Sequence, residues 1–107
     1  MKRWFGAMAL MVVAGAGCDS GSPTGAVCDE SLELTWDTFG KDFMDAYCVR
    51  CHESFANQST IQSRKSAIDE QAGSGPDATN TLMPDSGLKP SKEERALLST
   101  WLACGAP

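Results

Sequence analysis

At 107 residues with a formal charge of −5, the chain has room for one small domain and little else. Fourteen Asp and Glu against nine Lys and Arg argue against a nucleic-acid partner. The sequence holds no nucleotide-binding loop, no internal repeat and no hydrolase triad, and His52 is its single histidine.

Residues 1–17 read as a secretory signal peptide. Lys2 and Arg3 supply a basic start, Trp4 to Ala14 an apolar run, and Gly15-Ala16-Gly17 a small-residue approach to Cys18. The apolar run is too short to remain as a bilayer-spanning helix. Small residues leading into a cysteine resemble the lipobox of bacterial lipoproteins, which implies lipidation of Cys18 and a membrane anchor on the periplasmic side. Ala14-x-Ala16 would equally serve an ordinary signal peptidase and leave a soluble periplasmic protein. Residues 18–27, with Ser20-Gly21-Ser22-Pro23-Thr24-Gly25 at their centre, are expected to be a flexible tether ahead of a domain over 28–107.

Loss of Lys2 and Arg3 leaves seven basic and fourteen acidic side chains, a formal charge of −7. From Cys18 onward there are only seven Leu, two Ile, two Val and three Phe, a content at which a charged chain tends to disorder. Something must therefore supplement the core.

After an approach segment from Asp29 to Leu34, Thr35 is placed to cap a helix. In it Trp36, Phe39, Phe43, Ala46 and Tyr47 recur at three- and four-residue steps, with Asp37, Lys41, Asp42 and Asp45 on the other face. This helix leads straight into Cys48-Val49-Arg50-Cys51-His52. Two thiols three positions apart, followed at once by an imidazole, suit covalent attachment of a c-type haem and ligation of its iron from one face. A thioredoxin-like pair needs a preceding strand that the sequence does not offer, and a zinc site needs further ligands.

On this motif the chain resembles the c-type cytochromes. The resemblance implies an all-α fold of the small class I cytochrome c kind, with three to four helices around one covalently bound haem c and crossing N- and C-terminal helices. It also implies a role for Gly40, which stands eight positions before Cys48, where that family lets its terminal helices touch. A buried haem would supply the missing apolar mass, so the chain without it is expected to be largely unfolded.

Beyond the motif, Phe55 to Ser59 reads as a loop. Thr60 to Ala72 reads as a helix stopped by Gly73, with Ile61, Ala67, Ile68 and Ala72 at helical spacing. Gly73 to Asp77 is a break, and Ala78 to Lys89 a turn-rich stretch around Leu82-Met83-Pro84. Ser91 and Glu94 form a capping box for a final helix with Leu97, Leu98, Trp101 and Leu102 on one stripe. Arg95, Leu98, Trp101 and Leu102 are spaced like the C-terminal helix of class I cytochromes c.

With Cys18 assigned to lipid and Cys48 and Cys51 to haem, Cys28 and Cys104 remain as an even pair in an oxidising compartment. A disulfide between them is expected, two free thiols being the alternative.

His52 is one axial ligand. The second must be Met44, Met83, a lysine, water or an open position. Met83 is favoured because it follows His52 by 31 residues in a loop that Pro84 keeps out of helical conformation, while Met44 is tied to the proximal side. Met-Pro here also resembles the distal loop of bacterial class I cytochromes. Tyr47, Phe55, Leu82 and Leu88 are candidates for the haem wall. The family's proline after the attachment motif is missing, since none occurs between His52 and Pro76.

The expected activity is one-electron transfer by a His/Met-ligated haem c iron. The chain would be a carrier rather than an enzyme, or else the haem subunit of a larger oxidoreductase, or less readily a haem ligand sensor. Its redox protein partners are expected to present basic or apolar docking faces.

Overall fold

The computed structural model describes residues 21–107, so the signal peptide and Cys18 lie outside the described residues. Those described form an all-α domain of four helices with no strand, only an isolated bridge pairing Ser74 with Thr79. No helix among them is long and apolar enough to cross a membrane.

Thr35 caps as its sequence suggests. Its hydroxyl accepts from the Thr38 amide at 3.1 Å while the Thr38 hydroxyl accepts from the Thr35 amide at 2.9 Å. The helix begins with a wide turn of π type over Trp36–Gly40 and continues as α1, Lys41–Tyr47. Gly40 is buried there, and a Cβ on it would land on Cζ2 and Cη2 of Trp101. The glycine thus lets the Trp101 ring of the C-terminal helix lie directly on the backbone of the N-terminal one, a contact that offsets the roughly 1 kcal/mol cost of Gly within a helix.

The helix expected over Thr60 to Ala72 is divided. A short 3-10 turn at Glu53–Ala56 is followed by α2, Gln58–Ser63, and α3, Lys65–Ala72, with Arg64 between them at φ −123°, ψ 20°. Local hydrogen bonding accounts for the break. Ser63 Oγ donates to the Thr60 carbonyl at 2.8 Å, the acceptor that a continuing helix would offer Arg64, and the Arg64 amide turns to Ile61 O at 3.0 Å.

The last helix, α4, Lys92–Ala103, starts on the Ser91 and Glu94 capping box and ends near Gly105, which has φ +95°. It lies against α3. Leu98 and Trp101, both fully buried, with Leu102, complete a core with Phe43, Met44, Ile61, Ile68 and Ala72. An unbroken series of rings runs through this core, from Trp36 to Trp101 (6.2 Å between centroids), Phe39 (5.9 Å), Phe43 (5.4 Å) and Tyr47 (5.0 Å).

Cys28 is bonded to Cys104, their Cα atoms 4.6 Å apart, so the expected pair joins the start of the domain to the end of α4. Residues 21–25 of the expected tether run along the surface of the domain, while Val27 is 78% exposed. Thr24 is 1% exposed, and its amide and hydroxyl both donate to the Asp69 carboxylate, at 3.0 and 2.8 Å. Ser22 exchanges two hydrogen bonds with the Asn80 side chain, and the Asp77 amide donates to Thr24 O. Small polar residues serve here as a strap because they let backbone lie against backbone: a Cβ on Gly21 would strike Glu70 O and Asn80.

Candidate functional site

The segment Cys48-Val49-Arg50-Cys51-His52 follows directly from α1. The Cys48 and Val49 amides donate back to Met44 O, each at 2.9 Å, and the His52 amide donates to Cys48 O at 2.9 Å. This turn brings Cys48, Cys51 and His52 to one side of the chain, on the rim of a cavity of about 650 Å³. Its size falls within the ~300–1,000 Å³ range of cofactor pockets. α3 supplies an apolar wall through Ala67, Ile68 and Ala72, and the loop from Met83 to Leu88 lines it as well.

Tyr47, Phe55 and Leu88 line the cavity as expected of wall residues, whereas Leu82 does not. The Phe55 ring stacks on His52, centroids 5.0 Å apart with 19° between planes. Of the two methionines that could face His52, Met83 is on the lining. Met44 is fully buried in the core and away from it. The fold thus separates two residues whose chemistry is identical.

Cys48 and Cys51 are both unbonded, in contrast to Cys28 and Cys104. Burial pushes the Cys48 thiol up to about 11, while the positive charge of Arg95 pulls the other way. A thiol of that kind stays protonated at neutral pH, the opposite of the depressed value that a thiolate nucleophile or redox pair requires. Among the described residues no group of three His, Cys, Asp or Glu side chains is arranged to hold a metal ion.

The cavity lining carries two cations, Arg50 and Arg64, and one acid, Asp85. The Arg50 guanidinium reaches across to the loop, with Nη1 and Nη2 each 3.4 Å from where a Cβ on Gly87 would stand. The acidic excess is concentrated elsewhere, notably between Asp29 and Asp45.

Arg95, read from the sequence only as part of the C-terminal helix pattern with Leu98, Trp101 and Leu102, also belongs to this region. It is 3% exposed, and its Nη1 donates to the carbonyls of Ala72 (3.0 Å), Asn80 (3.1 Å) and Met83 (2.7 Å). Burial lowers its pKa from the ordinary arginine value, with Cys48 and then Glu94 opposing the shift. The signal available in the sequence was the arginine's place one turn before Leu98 in an otherwise apolar stripe.

Compared with models of protein families, with curated proteins and with solved structures, the chain matches none of them.

Proposed function

We propose that the chain is a monohaem electron carrier of the c-type cytochrome kind. One observation carries this reading. Cys48, Cys51, His52 and the distant Met83 all line a single largely apolar cavity, and the two thiols are unbonded. That donor set fits a haem c: two thiols to join its vinyl groups, an imidazole and a thioether to hold its iron.

In this reading Cys48 and Cys51 would fix the group covalently, and His52 and Met83 would hold its iron. The soft sulfur of Met83 would favour the reduced iron over what a second imidazole would give. Bound in this way, haem supplies one-electron chemistry. Phe55, Ile68 and Leu88 exclude water from its faces, and Arg50 and Arg64 are the cations available to its carboxylates. Leu88, 69% exposed at the cavity mouth, offers an apolar contact to a redox partner. Lipidation at Cys18 would hold the carrier on the outer side of a membrane.

The test is an intact mass and an optical spectrum of the full chain, expressed where cytochrome c maturation operates. Covalent haem should add its mass and give reversible oxidised and reduced spectra. A mass equal to that of the bare polypeptide would sink the proposal.

A further inference from the structure

Met83 is held by its backbone on both sides. Its amide donates to Gln71 O at 2.9 Å and its carbonyl accepts from Arg95 Nη1 at 2.7 Å. The same nitrogen collects the carbonyls of Ala72, at the end of α3, and Asn80, so one buried cation ties the end of α3 to the loop that carries Met83. Asn80 is in turn fixed. It is 6% exposed, its Nδ2 donates to Ser22 O and Asp69 O at 2.7 and 2.9 Å, and its amide donates to Gly73 O at 2.8 Å. The two hydrogens of this one charged nitrogen are shared among the three carbonyls, which would lose that partner without it.

We propose that Arg95 and Asn80 are positioning residues for Met83, fixing where its sulfur stands over the cavity independently of any bond the sulfur makes. The inference rests on the haem reading above and makes it more specific: axial ligation by Met83 is prepared by the protein frame rather than drawn into place by the iron. The N-terminal strap takes part, because Ser22 is one of the groups that hold Asn80.

Three variants of the full chain test this. In haem-loaded protein, Arg95→Gln and Asn80→Ala should each weaken the thioether-to-iron charge-transfer absorption. Each should also raise the share of reduced protein that takes up carbon monoxide by tenfold or more. Leu102→Ala, a core truncation that leaves the three carbonyls alone, should change that share less than twofold. An equal rise in Leu102→Ala, or no more uptake in Arg95→Gln than in the unaltered chain, would overturn the assignment.

Amide hydrogen exchange provides an arm that needs no change at Arg95. In Met83→Ala the amide of residue 83 should exchange within tenfold of its rate in the unaltered chain, since the frame still holds it. Faster exchange than that means the axial bond held the loop, and the inference fails. Should intact mass show no haem at all, the haem reading falls. Exchange at residue 83 still decides the positioning role, which requires Arg95→Gln to accelerate it at least tenfold over Leu102→Ala.

Discussion

Tyr47 and Glu94 join the end of α1, just before Cys48, to the first turn of α4, with the phenol donating to Glu94 Oε2 at 2.6 Å. That bond raises the Tyr47 pKa, and it is the first cause of a lowered Glu94 pKa, followed by the Ser91 amide. The sign for stability follows from each direction. A carboxyl whose folded pKa lies below its unfolded value contributes fully above the unfolded value and loses the contribution as pH falls through the folded one. The phenol, shifted upward, contributes below its unfolded value and loses the contribution as pH rises through the folded one. Tyr47→Phe should therefore cost about 1 kcal/mol at neutral pH, reduced by solvent screening of a part-exposed pair. Urea titrations at several pH values check it: the gap to the unaltered chain should close in strong acid, and a gap unchanged down to pH 2 would refute the assignment. Neither partner's role was legible in the sequence. Glu94 was recognised as half of a capping box and Tyr47 as part of an apolar stripe, because both signals are local, whereas their pairing spans 47 residues.

At the level of elements, what could be read was what neighbours in sequence decide. The Thr35 and Ser91 caps and the stripe of α4 stand where expected because each depends on residues three or four positions apart. The strap from Gly21 to Gly25 could not be read. Its Ser, Gly, Pro and Thr composition suits a linker, and the groups that hold it, Asp69 and Asn80, lie 45 and 58 residues away. Asp69 is its clasp, accepting from Thr24 twice and from Ser99 Oγ at 2.5 Å. Removal of the carboxylate would leave the Thr24 and Ser99 hydroxyls, both buried, without that partner. Asp69→Ala should cost roughly 2–4 kcal/mol. It should also open the segment between Gly21 and Val27 to a nonspecific protease, and resistance equal to that of the unaltered chain would show that the strap is held by other means.

For the whole molecule, the bond between Cys28 and Cys104 closes a loop of 76 residues that includes all four helices. On chain-entropy grounds such a link stabilises by about 4 kcal/mol, a large share of what a core of this size provides. Replacing both cysteines by serine should lower the unfolding free energy by that order in urea, and a change below about 1 kcal/mol would mean that the open chain is already constrained. Cysteine arithmetic was enough to anticipate the partners. It could not show that α4 would lie against α3, nor that Gly40 would be pressed on Trp101, since those contacts arise only when distant segments pack. Cys48, Cys51, His52 and Met83, singled out in the sequence, all line the cavity, whereas its support was not legible there, because the role of Arg95 depends on carbonyls from two segments, the end of α3 and the loop that carries Asn80 and Met83.

The series of rings from Trp36 through Trp101, Phe39 and Phe43 ends at Tyr47, on the cavity wall. Both indoles therefore stand within a few ring widths of the cavity that His52 and Met83 line. A strongly absorbing occupant would extinguish the emission of both, so the intrinsic glow of the domain is itself a gauge of whether its centre is filled.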